Sequence, residues 1–418
     1  MKRLEKYFAI IIAFLFLFGC AGTLQSPRAR INSLGLADIS GGLPREGLWR
    51  EKIALADMYG DGYLDIVAPP PRKAEKAEDL PHIFLRDRKE GRWQKGAFTF
   101  PTVQDYGYGG IAVGDINRDG YLDIVLAVYS GRIILLENNK SNGFIERPFP
   151  VNVQFHSRTV EISDINGDGW PDIIALSEAP AGGKSSGPQE ILAGINKEAK
   201  GWDVKTLEGS RGLFGDSMAV ADIKGDGKKD IIIAPMIAKK DEKKLIWFGD
   251  GKGDFKPYEG DLRSHEGDLS GYEGDLLASF VRAGDLDGDG KDEVVLKVST
   301  FGKGAKVFLS AHRWTGAGFA DISKGLEAVK NPIVFDLSDV DGDGKKELIV
   351  LSTDGIRIYK YMDKGWVERG YYELSPAETS GASDLRAGRN RDGSLLIVYN
   401  LGDEGETLNR GIRAYLMK

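Results

Sequence analysis

The stretch Asp285-Leu286-Asp287-Gly288-Asp289-Gly290-Lys291-Asp292-Glu293 decides the fold, because versions of it recur along the chain, each ahead of a burst of β-branched residues. The other clear copies begin at Asp57, Asp115, Asp164, Asp222 and Asp339. Their spacing of about 50 to 60 residues matches one four-stranded propeller blade. The repeat therefore overrides the two or three ordinary domains that a chain of 418 residues would otherwise suggest.

Each copy has the same predicted anatomy. A short apolar strand precedes the acidic loop, and a second and a third strand follow it, separated by Gly-, Asp- and Asn-rich turns. A weaker fourth strand carries one aromatic residue per copy: Trp93, Phe144, Trp202, Phe255, Phe319 and Trp366. Helical periodicity is nearly absent, so the pattern predicts an all-β protein made of four-stranded antiparallel blades.

A seventh, degenerate copy and the two chain ends complete the count. Asn390-Arg391-Asp392-Gly393 aligns with Asn117-Arg118-Asp119-Gly120, but Gly388 and Leu396 replace the first and last carboxylates. The chain ends after two further strands, and Gly35–Ser40 echoes the fourth strand of the fifth copy. We therefore expect a seven-bladed β-propeller over residues 34–418, with loops starting near 57, 115, 164, 222, 285, 339 and 388, closed by an N-terminal strand in the last blade. Six blades with a C-terminal extension is the alternative.

The loops have the ligand spacing of a calcium site. Carboxylates or amides stand at positions 1, 3, 5 and 9 around a Gly at position 6, and such oxygens wrap a hard cation. Position 12 lies in a strand, so the loop is not an EF-hand. We expect about four to six Ca²⁺ ions. The complete sets are Asp115, Asn117, Asp119, Asp123; Asp164, Asn166, Asp168, Asp172; Asp285, Asp287, Asp289, Glu293; and Asp339, Asp341, Asp343, Glu347.

Two loops, the first and the fourth, are weaker candidates for calcium, and the degenerate seventh loop is expected to hold no metal. The first loop has Asp57, Asp61 and Asp65 but Tyr59 at position 3. The fourth has Asp222, Asp226 and Asp230 but Lys224 at position 3, whose ammonium is expected to replace part of the cation's charge. The alternative for every loop is an Asx-type turn whose charges are incidental.

With these motifs, the chain resembles FG-GAP/VCBS repeat proteins, which are related in design to the integrin α-subunit propeller. The resemblance covers nearly all of residues 34–418 and rests on the repeated loop. It implies a propeller that carries calcium in hairpin loops on one face.

The N-terminus reads as a secretory signal. Lys2, Arg3 and Lys6 precede an apolar run, Phe8–Phe18, which is too short to span a bilayer comfortably. Leu17-Phe18-Gly19-Cys20 resembles the end of a bacterial lipoprotein signal, and Cys20 is the only cysteine. The prediction is a signal peptide over 1–19, a lipidated Cys20 with a flexible tether over 20–33, and, because Ala21 follows Cys20, location at the outer membrane. An ordinary signal peptide is the alternative.

Charge and cysteine content exclude some partners. The formal charge is −7, and removal of residues 1–19 would lower it to −9. An acidic chain is repelled by phosphate backbones, which argues against nucleic acid. A single cysteine allows no intramolecular disulfide, so calcium would have to staple the loops.

Function is expected on the face that the acidic loops leave bare. Candidates entering the innermost strands there are Tyr106, Tyr108, His156, Arg158, Phe214, Asp216 and Asn331. The favoured interpretation is a non-enzymatic module that binds a protein or glycan at the cell envelope and meets the membrane only through its lipid. One alternative is a carbohydrate-active enzyme, such as a polysaccharide lyase, using Tyr108, His156, Arg158 and Asp216 for acid–base chemistry. Another is a structural scaffold of an envelope complex.

Overall fold

The computed structural model describes residues 30–75, 79–102, 106–129, 131–151, 154–178, 187–235, 245–260, 262, 276–300, 305–402 and 409–418. The predicted signal peptide, Cys20 and the tether up to residue 29 lie outside this part of the chain. The side chain of Asp216 is also outside the description, although its backbone belongs to a strand.

Seven four-stranded antiparallel sheets make up the described protein. The first three blades are, from inner to outer strand, β2(Ala54–Ala56), β3(Asp65–Ala68), β4(His82–Asp87), β5(Arg92–Lys95); β6(Gly109–Gly114), β7(Asp123–Val128), β8(Arg132–Asn138), β9(Phe144–Arg147); and β10(Ser157–Ser163), β11(Asp172–Ser177), β12(Ile191–Asn196), β13(Trp202–Thr206).

The next three blades follow the same order. They are β14(Gly215–Ala221), β15(Asp230–Pro235), β16(Ile246–Gly249), β17(Phe255–Pro257); β18(Leu276–Gly284), β19(Glu293–Thr300), β20(Val307–Trp314), β21(Phe319–Asp321); and β22(Pro332–Ser338), β23(Glu347–Ser352), β24(Gly355–Met362), β25(Gly365–Glu373). The last blade is β26(Ala382–Arg389), β27(Leu395–Gly402), β28(Arg410–Met417) and β1(Ala37–Asp38).

The N-terminal strand closes the ring, as the sequence predicts. Ala37 pairs with Leu416 and Asp38 with Tyr415, so β1 covers the edge of β28. Buried Ser40 extends the contact, since its Oγ accepts a hydrogen bond from Ala414 N at 2.9 Å. The alternative of six blades with a C-terminal extension is wrong, because β26–β28 form a complete blade with β1.

The second strand of each blade is buried on both faces, because it is sandwiched between neighbouring blades. All six residues of β7, β11 and β15 are buried, and Ile231, Ile232 and Ile233 have no exposed surface. This explains why these strands read as continuous apolar runs rather than as alternating patterns. Their burial supplies most of the hydrophobic contact between blades.

Helical structure is minimal in the described residues. A single-turn helix, α1(Pro376–Thr379), begins after Ser375, which forms a capping box with Glu378. A 3₁₀ turn covers Leu326–Ala328. Within the described ranges, none of the helices has the length and apolar character needed to span a membrane.

Five inner strands carry a β-bulge at the same level, near the end that enters the blade. The extra residues lie between paired neighbours on β10, β14, β18, β22 and β26. They are Arg158, Asp216, Ser279, Ile333 and Ser383. Because a bulge re-aims a side chain and bends its strand, this ring of bulges shapes the entrance of the central channel.

Candidate functional site

The acidic loops connect the first and second strands of the blades and share one internal frame. In all six clear copies, the position-1 aspartate accepts a hydrogen bond from the position-6 glycine N–H. The position-9 carboxylate accepts one from the N–H of position 2, as in Leu286 N to Glu293 Oε2 at 2.9 Å. These bonds fold each loop back on itself before any cation is considered.

The position-6 glycine is required by the backbone. Gly120 and Gly290 have φ values of 88° and 81°, in the left-handed region that disfavours residues with a Cβ atom. The turn made there brings the carboxylates of positions 1, 3 and 5 to the same side of the loop.

The position-9 carboxylates are buried at the base of the loops. Burial raises the pKa of Asp123, Asp172 and Asp230 to about 6. It raises the pKa of Asp65 and Glu293 to about 7. Burial thus makes ionisation of these groups more costly than in water, and a bound cation would offset that cost.

Loops ending in Asp differ from loops ending in Glu. In the Asp loops the second carboxylate oxygen accepts a backbone N–H of the third strand; Asn138 N to Asp123 Oδ1 and Asn196 N to Asp172 Oδ1 are both 2.8 Å. The Glu side chain is one methylene longer and meets a basic side chain of the third strand instead. Arg313 Nε lies 2.8 Å from Glu293 Oε1, and Lys360 Nζ lies 2.7 Å from Glu347 Oε1.

Lys360 sits where a cation would be expected in the sixth loop. Its Nζ lies 2.6 Å from Asp341 Oδ2 and 2.7 Å from Asp343 Oδ2. Arg313 reaches the fifth loop in the same way, with Nη2 2.5 Å from Asp287 Oδ2. Each of these loops thus has a cation of its own within reach of the predicted calcium ligands.

The donor set of these two loops fits a metal ion. Ligand oxygens of Asp285, Asp287 and Asp289 lie within 4.8 Å of one another, and so do those of Asp339, Asp341 and Glu347. Glu347 Oε1 is buried and, although close to Lys360, accepts no hydrogen bond from the described residues. Clustered hard oxygens of this kind suit Ca²⁺.

The remaining loops differ in the group at position 3. In the second and third loops, the amides of Asn117 and Asn166 donate to Asp119 Oδ2 and Asp168 Oδ2 at 3.0 and 2.9 Å. In the fourth loop, Lys224 Nζ lies 2.9 Å from Asp226 Oδ2. In the first loop, position 3 is Tyr59, whose side chain is 52% exposed. Among the described contacts, its hydroxyl makes no hydrogen bond to Asp57 or Asp61.

The degenerate seventh loop has a structural task. Asn390 Oδ1 accepts a hydrogen bond from Leu64 N at 2.9 Å, and Arg391 N donates to Gly62 O at 2.7 Å. The loop therefore joins the last blade to the first across the closure of the ring.

The opposite face, where inner strands begin, surrounds a cavity of about 450 Å³ that we call the mouth cavity. Four of the five bulge residues line it: Arg158, Ser279, Ile333 and Ser383. Further lining residues are Arg50, Glu51, Lys52, Phe280, Lys297, Ser299, Val307, Asn331, Pro332, Val334, Thr353 and Ala382. The bulge residues thus form part of the wall of this cavity.

The mouth cavity is cationic although the chain is acidic. Its described lining has four basic side chains, Arg50, Lys52, Arg158 and Lys297, and one acidic side chain, Glu51. Burial, together with the nearby Arg282, lowers the pKa of Lys52 to about 8. Burial is the main cause of this shift, because it disfavours the charged form of the lysine.

A network of ion pairs fills the channel beneath the cavity. Arg282 joins two blades, because its Nε lies 3.0 Å from Asp336 Oδ1 and its Nη2 lies 2.9 Å from Asp384 Oδ1. Asp384 also accepts a hydrogen bond from Ile53 N at 3.0 Å and pairs with Arg386 at 3.1 Å. These contacts give the cavity a rigid floor built from blades 1, 5, 6 and 7.

The predicted channel residues fall into three groups. Arg158 and Asn331 line the cavity. Tyr106 is buried and its hydroxyl donates to Pro101 O at 2.7 Å, so it is a core residue. Phe214 is half-buried just before β14.

Tyr108 and His156 lie together in a neighbouring aromatic group, and the described lining of the cavity includes neither. Tyr108 stacks on Tyr129 with ring centroids 5.1 Å apart, and the His156 ring lies 6.0 Å from Tyr129. His156 Nδ1 contacts Tyr129 O at 2.6 Å. Arg158 pairs with Glu178 and with Glu51.

Sequence reasoning missed Lys52, Lys297 and Phe280. Lys52 lies just before the first inner strand, and Arg158 lies near the start of the third. A basic residue at this position beside an inner strand was therefore a signal in the sequence. Lys297 lies on a second strand and reaches the cavity only because Lys297 Nζ donates to Ile333 O of the next blade, at 2.6 Å. That contact depends on packing between blades.

A model of the FG-GAP-like repeat family matches residues 57–126, 115–175 and 222–296. The chain carries FG-GAP-like repeats. Integrin alpha-IIb of Mus musculus and of Homo sapiens are each 28% identical to it over 144 residues, which cover 29% of this chain and 14% of the integrin. The chain therefore spans only a small part of the length of these curated relatives.

Solved structures show the same fold for this FG-GAP propeller. A fungal alcohol oxidase of the AA5 family, in complex with copper, superposes with a TM-score of 0.55 at 11% identity, covering 91% of this chain and 75% of that one. BBS1N, solved in complex with ARL6DN, gives 0.50 at 12% identity, covering 93% and 97%. At these identities the likeness concerns the fold alone, and an FG-GAP repeat propeller of this kind is typical of an interaction module.

Proposed function

We propose that the protein is an envelope-anchored, calcium-stabilised interaction module that binds a protein or glycan through its mouth cavity. The acidic loops staple the blades, Cys20 carries the lipid anchor, and the opposite face recognises the partner. The anchor rests on the sequence resemblance to lipoproteins, because residues 1–29 lie outside the described structure.

The observation that carries the proposal is the cationic mouth cavity. Five inner strands depart from regular pairing at one level, and four of their extra residues face one space. Bulges are over-represented at the rims of barrels and next to active sites, where they re-aim side chains. The four basic side chains there contrast with the overall charge of −7.

Calcium is proposed to stabilise the loops rather than to act in recognition. The acidic loops lie at the ends of the inner strands opposite the bulge ring, so an ion there is remote from the mouth cavity. A cation bound only by the folded loops stabilises the fold by mass action.

The test is capture from crosslinked envelopes with the full-length protein. The double variant Lys52→Met/Lys297→Met removes two cavity charges, and Lys256→Met/Lys324→Met removes two exposed charges elsewhere as a control. We expect the control to retain its partner and the cavity variant to lose it. Equal capture by both would refute binding through the cavity, and release of the protein from membranes by Cys20→Ala tests the anchor.

Lyase activity is the competing function that the same protein preparation can test. Arg158 beside a cationic cavity would suit a uronate substrate, but Tyr108 and His156 belong to the neighbouring aromatic group. An absorbance rise from an unsaturated product on uronate polymers would establish an enzyme. A flat trace with retained binding supports the module.

A further inference from the structure

The mouth cavity combines two kinds of lining group. Basic side chains are supplied by Arg50, Lys52, Lys297 and Arg158, the last of which pairs with Glu51 and Glu178. Between them stand hydroxyl and amide side chains from three blades: Ser279, Ser299, Asn331, Thr353 and Ser383. Apolar surface comes from Phe280, Val307 and Pro332.

We propose that this cavity binds an acidic sugar residue of a glycan, with the sugar's carboxylate or sulfate against the basic side chains and its ring hydroxyls against the serine and amide groups. The inference rests on the proposed function and names the class of partner. It assigns no chemistry to the site.

The shape of the cavity favours a sugar over an acidic peptide. Its volume of about 450 Å³ is within the range of about 300–1,000 Å³ for small-ligand pockets. A ring carrying several hydroxyls satisfies polar groups on all sides of such a space. An Asp or Glu side chain is acyclic, and would leave most of those hydroxyls without a partner from the ligand.

The charges are held in place, so little ordering is needed on binding. Lys52 is 7% exposed and its Nζ contacts Thr159 Oγ1 of the third blade. Lys297 Nζ donates to Ile333 O at 2.6 Å. Arg282 and Asp384 fix the floor beneath. Preorganised charges lower the entropic cost of recognition.

Lys297 is the residue to change, because it lines the cavity, is half-buried and contacts Ile333 O of the next blade. Lys297→Met removes the charge and keeps most of the stem, whereas Lys297→Arg keeps the charge. Lys256 lies on the outer strand β17 and is exposed, so Lys256→Met is a matched loss of one lysine charge away from the cavity. Thermal melting verifies that the variants are folded.

Binding is measured by calorimetry on the full-length protein with three probes at fixed calcium: an oligogalacturonate, a sulfated heparin-derived oligosaccharide and neutral maltotetraose. We expect one or both acidic probes to bind, more weakly at higher salt, and the neutral probe not to bind. Lys297→Met should weaken binding about tenfold or more, as for loss of a charged hydrogen bond, and Lys297→Arg should restore it. Lys256→Met should leave it unchanged.

The choice between acidic probes identifies the oxyanion, carboxylate or sulfate. Oligogalacturonate itself binds calcium, so it could attach to the protein through calcium ions in the acidic loops. Binding that is equal in wild type and Lys297→Met would place the contact outside the cavity and overturn the inference. Absence of binding to both acidic probes would also overturn it. If envelope capture still depends on the cavity lysines and the captured partner proves to be a protein, the proposed module stands and the sugar inference falls.

Discussion

At the scale of single residues, Lys360 and Arg313 distinguish the fifth and sixth loops from the others. Each stands on a third strand directly across from a position-9 glutamate, and each reaches two or more loop carboxylates. In such a loop the lysine or arginine partly neutralises the carboxylates when no metal is bound. When a metal ion binds, that side chain has to leave the carboxylates. The same motif is therefore expected to have different calcium affinities in different blades.

Lys360→Met tests this competition. Loss of three contacts to carboxylates should destabilise the calcium-free protein, because Asp341, Asp343 and Glu347 then repel one another without compensation. In the same variant the sixth loop should bind calcium about tenfold more tightly, since a charged hydrogen bond no longer opposes the ion. Calcium titration followed by calorimetry measures both effects.

Lys256→Met is the control for that experiment, because it removes an exposed lysine outside the loops. It should change neither the affinity nor the calcium-free melting temperature appreciably. If Lys360→Met binds calcium no more tightly than wild type, the lysine is a bystander that does not compete for the site.

Sequence spacing predicted the loop frame better than it predicted these partners. The position-6 glycines and position-9 carboxylates are local, so they follow from the nine-residue motif alone. Lys360 meets its loop through the register of β23 with β24, in which Leu348 pairs with Tyr359. Lys52 and Lys297 line the same cavity from different blades, and no short stretch of sequence contains both.

At the scale of the hairpin, the buried position-9 carboxylates predict an unusual pH dependence for the calcium-free protein. The folded pKa values of about 6 to 7 lie above the ordinary value of 3.8. Between these values the folded state holds more protons than the unfolded state, so stability falls as pH rises from about 4 to about 7. Carboxyls with lowered pKa, such as Asp343, contribute stability that is fully present above about 3.8 and is lost as pH falls further, so they do not produce the slope in this window.

We expect the calcium-free melting temperature to fall by on the order of 5 °C across that window. Calcium should oppose the fall, because it binds ionised carboxylates, so the gap between calcium and EGTA melts widens as pH rises. Asp123→Asn should flatten the calcium-free slope while lowering stability at every pH. A calcium-free melting temperature that rises from pH 4 to 7 would contradict the assignment.

Loop chemistry also predicts which hairpins depend on metal. Asp168→Ala removes a position-5 ligand from the complete third loop and should abolish one calcium site, lowering the melting temperature in calcium toward the EGTA value. Asp392→Ala is the matched change in the degenerate seventh loop and should leave the number of bound ions unchanged. The number of bound calcium ions is measured by atomic emission after dialysis. A melting temperature of the wild type that is unchanged in excess EGTA would contradict a structural role for calcium.

The blades themselves were predictable because their signals are local. A strand sandwiched between blades has to be apolar throughout, as Ile231–Ile233 are, and each turn carries its glycine. The bulges were not predictable in this way. A bulge is a mismatch between two strands, such as Arg158 between the pairs Ser157–Ser177 and Thr159–Leu176, and neither strand alone encodes it.

At the scale of the whole molecule, closure of the ring depends on a short N-terminal segment. β1 has only two residues, but it covers the edge of β28, and Leu36 beside it is 4% exposed in a cluster with Tyr372, Leu374 and Tyr415. An open edge would expose unpaired backbone groups and separate the first and last blades. Closure thus joins residues at opposite ends of the chain.

Leu36→Ala should therefore destabilise the entire propeller rather than one blade. Removing this buried side chain is expected to lower the free energy of unfolding by about 2–4 kcal/mol, from lost burial and the cavity left behind. Ile145→Ala is the control, because Ile145 lies on the outer strand of the second blade and is 43% exposed, so its loss should cost about 0.5 kcal/mol or less. Urea unfolding followed by tryptophan fluorescence measures both. Equal, small effects would show that β1 contributes little to the stability of the ring. A large effect of Leu36→Ala alone would mean that closure holds the blades together.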